Sequence, residues 1–553
     1  MKIIRLSLCA LALLVSFSST VMAAPSRSVE TAGTLTSNQD GQIAGNVWAG
    51  LSRDEALLLI NALPARYATP TWYDVARRLL LSDAPGLPEG NRPKDAPATD
   101  PSRPDILIAR LDKLMEMGAL RDAEMLYDTV VGEFPDNFDL AYRSLQILML
   151  RGQLSAACLD LQAMQATHGK NPKWVELNRL CRVQFAQGGE RARILNETKF
   201  DYYPAVGNFL RGRAPNNLSA MNTEELAFAV ATGLVNENTA RSMTSKAGKL
   251  PPLLLTVLFS IDAENAMPER TCLGIEAARR GLASTRDLIS LYEAPHYASD
   301  LLLSPGMPAL GGMHPCLAPT VMYQRIASAK ENPAQRNSTI RQALDLMSDL
   351  PDAAFWPMAT YFKDFDVHAA QNKKYVWRLT RIVAYEKDEL PQDWARGWGG
   401  QGGAGVSPFW PVQAIVSPEG DSMDELNIWR QQWPSEAKRV ASRDPIIPLL
   451  LGQSLNPGPK TGKNDKTKLR DYENNLSLTF SRTYSMPSYG LTQRLNDVIK
   501  NNQTGQSVAL LLIGYGAIPP DQVIPHQMAL VIEGLNKAGL GRYARRFALE
   551  VLR

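Results

Sequence analysis

The amino-acid sequence predicts an all-α protein built from helical hairpins, and three observations carry that prediction. Helix-start signals recur along the chain: a hydroxyl residue stands three positions before an acid at Ser52–Glu55, Thr71–Asp74 and Ser422–Glu425. In such a box the hydroxyl accepts from the amide three residues on, and the acid returns to the cap. Glycines divide apolar helical runs at a spacing that repeats after 34 residues. Only residues 476–484 alternate apolar and polar side chains as a strand does, and one such run cannot make a sheet.

Residues 1–23 read as a secretory signal peptide. Lys2 and Arg5 form a positive start, Leu6 to Phe17 is an apolar run, and Val21-Met22-Ala23 precedes Ala24-Pro25. Small residues at the last and third-last positions suit a signal peptidase, which places cleavage after Ala23. The run is too short for a membrane anchor, which needs about 20 apolar residues. No other long uncharged apolar stretch follows, so no transmembrane segment is expected after cleavage. Loss of Lys2 and Arg5 lowers the formal charge from +3 to +1. A nearly balanced surface gives no electrostatic case for nucleic acid or anionic lipid. The expected location is the periplasm, or secretion to the medium.

Residues 24–46 are rich in Ser, Thr and Gly and read as a flexible leader, followed by a short helical pair over 47–83. Prolines at 85, 88, 93, 97, 101 and 104 make 84–104 a linker, because proline at that density cannot continue a helix. A helical repeat region is expected over 105–390. Its clearest part is 104–164, where Gly118 is followed by Ala123, Tyr127 and Pro135. Thirty-four residues after Gly118 stand Gly152, Ala157 and Leu161, at the same offsets of five and nine. Glycine permits the tight interhelical turn, the small residue lets two helices approach, and the larger one fills the groove between units.

These positions resemble the signature of the tetratricopeptide repeat family, whose period is 34 residues. The resemblance covers about 60 residues. Arg110 and Ser144 stand where the family usually places leucine, and no proline closes the second unit. Gly539, Ala544 and Ala548 echo the spacing near the C-terminus. The resemblance implies stacked helical hairpins, an α-solenoid, with a concave protein-binding surface and no catalysis. Further helices are expected at 226–232, 272–281, 287–293, 340–350 and 376–385. The C-terminal half, 391–553, reads as irregular helical structure, with helices at 422–433 and 491–501.

Four cysteines follow the signal: Cys158, Cys181, Cys272 and Cys316. In an exported protein that even number invites pairing, and three connectivities are open. Proximity in sequence favours Cys158–Cys181 and Cys272–Cys316, each stapling adjacent helices.

Motifs for chemistry are weak. Gly458–Lys463 lacks the length and the hydroxyl of a phosphate loop. Ser435–Lys438, Ser454–Asn456 and Lys460–Gly462 copy three penicillin-binding motifs, but all three are compressed into 28 residues. Asp364, Asp366 and His368 converge only on an extended strand. The chain is therefore expected to be a non-enzyme with no catalytic residue, no cofactor and no metal. Five of its ten tryptophans fall between 394 and 433, around the glycine run 399–405. Trp394, Trp398, Phe409 and Trp410 form the candidate binding surface, because tryptophan is favoured at interfaces and on sugar rings. The resulting expectation is an exported scaffold or adaptor for envelope or secreted proteins. The alternatives are a module that binds cell-wall glycan or polysaccharide, and an unrecognised envelope hydrolase.

Overall fold

A computed structural model describes residues 29–36, 41–43, 47–85, 87, 104–213, 217–260, 268–297, 315–329, 331–396, 398, 405–417, 423–440 and 487–552. The signal peptide, most of the proline-rich linker, the glycines at 399–404 and the run 441–486 lie outside them. Among the described residues the protein is helical and has no strand. Its one isolated β-bridge joins Leu35 to Ser82. No helix there is long and apolar enough to cross a membrane.

Helices of seven or more residues open with α1 (Arg53–Ala62), α2 (Pro70–Leu81), α3 (Asp105–Glu116), α4 (Leu120–Val130), α5 (Phe138–Leu150) and α6 (Leu154–Ala163). There follow α7 (Pro172–Phe185), α8 (Gly189–Glu197), α9 (Pro204–Leu210), α10 (Thr223–Ala231), α11 (Glu237–Met243), α12 (Pro252–Ser260), α13 (Pro268–Arg279) and α14 (Thr285–Glu293). The second half holds α15 (Ala318–Ser328), α16 (Pro333–Leu346), α17 (Lys373–Lys387), α18 (Trp410–Val416), α19 (Met423–Gln432) and α20 (Pro434–Val440). The last four are α21 (Tyr489–Lys500), α22 (Thr504–Tyr515), α23 (Pro525–Lys537) and α24 (Gly541–Val551).

One local device makes most of the hairpins. Gly118, Gly152, Gly233, Gly281 and Gly539 all hold positive φ, between 73° and 85°. In each case the next residue's amide reaches back to a carbonyl of the helix just ended: Ala119 to Leu114, Gln153 to Leu148, Leu234 to Ala229, Leu282 to Ala277, Leu540 to Leu535. That bond satisfies a helix-end carbonyl, and only a residue tolerant of the left-handed region can make the turn. Asn502 does the same at φ 54°, with Gln503 bonded to Val498. Asparagine is the other residue that visits this region readily. Ser507 and Leu511, five and nine residues beyond Asn502, are buried. The α21–α22 turn therefore keeps the spacing of Gly118, Gly152 and Gly539 without a glycine.

The helix starts show one departure from expectation. Ser52 and Glu55 form the predicted capping box. The cap of α2 is Thr69, with Pro70 in the first helical position. Thr71 is free for another bond, and its hydroxyl donates to Glu550 Oε1 at 2.8 Å. The box at Ser422 lies outside the described residues.

That contact spans 479 residues, and it has neighbours. Tyr543 Oη donates to Asp74 Oδ2 at 2.6 Å, and the rings of Trp72 and Phe547 lie 5.5 Å apart. Helix α24 packs on α2, α17 and α18, while α22 packs on α1 and α2. The pair α1–α2, read from the sequence as a short helical pair ahead of a linker, packs both on α3 and α4 and on α22 and α24. An open solenoid would keep its first and last helices apart; among the described residues they touch.

Part of the expected flexible leader is also packed. Glu30 pairs with Arg53 at 2.7 Å and accepts from the Ile106 amide at 2.8 Å. Arg110 is fully buried and donates to Leu80 O at 2.6 Å, Ala32 O at 2.7 Å and Glu30 O at 3.3 Å. This explains why arginine occupies a position where the repeat family has leucine. It satisfies one carbonyl in the last turn of α2 and two of the N-terminal segment 29–36, which would cost about 1–3 kcal/mol each if left buried and unpaired. Burial lowers the Arg110 pKa to about 10.

Candidate functional site

Each tryptophan of the expected binding surface has a place in the structure. Trp394, Phe409 and Trp410 are buried, as is Trp429. Trp398 is half-buried, ringed by His368, Phe409 and Trp433 at centroid distances of 4.9, 5.9 and 6.0 Å. Indole N–H groups tie down the surrounding backbone: Trp398 donates to Trp394 O, Trp429 to Pro408 O and Trp433 to Val406 O, at 2.7–3.0 Å. These rings pack around α18 and α19, and of the four candidates Trp398 is the one that reaches solvent. Large-to-small changes at such positions cost about 3–5 kcal/mol, so alanine there tests the fold instead of binding.

The remaining candidates also resolve. Asp364 pairs with Arg336 at 2.5 Å, while Asp366 caps the turn through the His368 and Ala369 amides. His368 Nε2 meets Asp393 O at 3.2 Å, so the three side chains have separate partners. Among the described residues no group of three His, Cys, Asp or Glu is placed to hold a metal ion. Ser435 and Lys438 are exposed on α20, and the other two motifs of that set lie outside the described residues.

The repeat-signature positions fare differently. Ala123, Tyr127, Ala157 and Leu161 are buried, whereas Pro135 is exposed after a 3₁₀ turn at Val131–Glu133. Helix α5 packs on α3 on one side and α10 on the other, which leaves α6 with α7 as an outer layer.

Between α6 and α7 runs a groove of about 870 Å³. Both helices are fixed from beneath. Cys158 and Cys181 form a disulfide across them, with Cα atoms 5.8 Å apart. Trp174 is fully buried, donates to Leu161 O at 3.2 Å and packs on Phe138 and His168. Burial lowers the His168 pKa. Glu176 accepts from the amides of Asp201, Tyr202 and Tyr203, which folds the chain back behind α7. The second disulfide, Cys272–Cys316, ties α13 to the turn at Pro315–Leu317. Both pairs are those favoured by sequence proximity.

The groove sets apolar Leu159, Val175 and Phe185 beside polar Ser155, Gln162, Gln165 and Asn178, with Arg179 and Arg182 as its basic side chains. Leu159 is 66% and Phe185 57% exposed, two of the most exposed large apolar side chains described. Residues 165–199 carry Lys170, Lys173, Arg179, Arg182, Arg191, Arg193 and Lys199 against three acids, and the buried Glu176 is one of the three. In a chain close to neutral, that is a local excess. Arg179 and Arg182 line the groove itself. Sequence reading missed the site because its parts are separated by a loop and no motif draws the basic residues of α7 together with Leu159 of α6. The available signal was an exposed Leu-and-Phe pair flanking the cysteines. The chain matches no protein-family model, no curated protein and no solved structure.

Proposed function

We propose that this protein is an exported adaptor of the cell envelope that acts by binding, and that it seats an apolar segment with acidic flanks from a partner protein between α6 and α7. The observation that carries the reading is the exposed Leu159–Phe185 groove with Arg179 and Arg182 as its basic side chains. A face of this kind matches a partner by burying apolar area at its centre and pairing charge at its edge. The glycine-turn hairpins and their common spacing support the likeness to tetratricopeptide repeats, and the two disulfides suit an oxidising compartment. The glycan reading has less to rest on, because of its four aromatic residues Trp394, Phe409 and Trp410 are buried and Trp398 is half-buried.

A photo-crosslinking residue at position 159, introduced in the exported full chain, tests this reading. The expected product is a crosslink to an apolar segment flanked by Asp or Glu. It should weaken with salt and disappear in Phe185→Glu. A crosslink to a second copy of this chain, or to a segment without acids, would overturn the proposal, as would a signal unaffected by Phe185→Glu.

A further inference from the structure

A second cavity, of about 540 Å³, opens on the far side of the closure between the chain's two ends. Its walls come from the loop before α2, the C-terminal end of α13, the turn at Asp352–Met358, helix α17, the loop at 517–521 and α24. At one end three guanidinium groups gather. Arg280 is buried and donates to Glu276 Oε1, Leu250 O and Ala247 O at 2.7 Å each. Arg279 shares the same carboxylate at 2.6 Å. Arg66 is exposed and donates to Gly248 O at 2.8 Å. Burial first, and then repulsion from Arg66 and Arg279, lowers the Arg280 pKa. Arg279 and Arg280 thus share one carboxylate, Arg66 stands near them, and Arg66 and Arg279 reach solvent.

The opposite end is electrically closed. Asp352 is held by Arg378 at 3.0 Å and Arg381 at 2.6 Å. Between the two ends, Trp356 stacks on Tyr385 with centroids 5.2 Å apart and planes 8° from parallel, and both line the cavity. Glu550 forms part of the wall; its Oε1 accepts from Thr71 and Tyr385. Asp521 is exposed at the rim.

We infer that this cavity binds a small organic anion, a carboxylate or phosphate carried on a flat ring, with Arg66 and Arg279 holding the oxyanion and Trp356 covering the ring. Guanidinium forks match oxyanions of both kinds, and charge-assisted bonds of this type are the strong ones. An indole face supplies area for a planar body. The residues involved share nothing with the α6–α7 groove, so either site can fail without the other.

Calorimetric titration of the full chain with phenyl phosphate, benzoate, inorganic phosphate and benzyl alcohol tests the assignment. The two ring-bearing anions should bind and benzyl alcohol should not. The tighter of the two anions assigns the oxyanion. Arg66→Gln, at an exposed position, should weaken both about tenfold, and adding Arg279→Gln should weaken them further. Trp356→Leu should weaken the ring-bearing anions and leave inorganic phosphate unchanged. Benzyl alcohol binding as tightly as the anions would overturn the inference, and so would undiminished binding in folded Arg66→Gln. Absence of saturation by any anion would also overturn it.

Discussion

The hairpins α3–α4 and α5–α6 share one spacing and differ in almost everything around it. In α3–α4 the helices pack against α1, α2, α5 and α12, and α4 keeps one exposed face at Arg121, Met125 and Asp128. In α5–α6 the second helix faces outward, exposes Leu159 and is stapled to α7 by a disulfide. A common local code can therefore serve as core in one copy and as surface in the next. Position 110 makes the contrast plain: Arg110 is buried and pinned to three carbonyls, whereas the matching Ser144 is a small buried hydroxyl.

The largest test of that contrast is Arg110→Leu, which restores the residue usual in the repeat family. It should destabilise the protein by about 3–4 kcal/mol, because two carbonyls of the packed N-terminal segment and one at the end of α2 lose their donor while the leucine adds apolar contact. Urea unfolding monitored by tryptophan fluorescence gives the value. A variant as stable as the parent would mean that the repeat tolerates its consensus residue and that the N-terminal contacts contribute little.

The turn glycines come next. At both 118 and 152 an added Cβ is strained by the positive φ, for about 1 kcal/mol. At Gly152 nothing lies within 4 Å, so Gly152→Ala should stop there. At Gly118 the new carbon would press on Thr256 Oγ1 and the Pro252 carbonyl, both held by α12 and its start. Gly118→Ala should therefore cost about 2–3 kcal/mol. Equal losses at the two sites would remove the distinction between inner and outer hairpin.

How far the sequence spoke follows the same division. Local features were legible: the Ser52 box, the glycine turns, the helix positions and the cysteine pairs all depend on residues close in the chain. Closure was not legible. Glu550 meets Thr71 only after folding, and Thr71 had looked like a helix cap because an acid stood three residues on. The tryptophans misled for a related reason. Clustering in sequence indicates shared location, but whether that location is core or surface depends on α17 and α24, which pack there from elsewhere in the chain. Asn502 makes a turn that the glycine spacing does not mark, because asparagine meets the same backbone demand.

Where the ends meet, the inner region also carries a titration that the outer groove lacks. Burial, opposed by hydrogen bonds from Thr69 and Thr71, pushes the Glu550 pKa up to about 7 from an ordinary 4.5. Between those values the folded protein keeps a proton that the unfolded chain has released, so raising the pH favours unfolding. The stability is fully present below about pH 4.5 and is lost as the pH rises through about 7. Glu550 is only partly covered, so the loss is about 1–2 kcal/mol, less than the full shift implies. Glu550→Gln keeps the carbonyl that accepts from Thr71 and cannot ionise. Urea midpoints measured from pH 5 to pH 8.5 should fall in the parent relative to this variant, with most of the divergence around pH 7. Parallel curves would mean that Glu550 is already ionised in the closed structure. The junction of the two chain ends would then be held by its packing and its Tyr543–Asp74 bond, with no dependence on that proton.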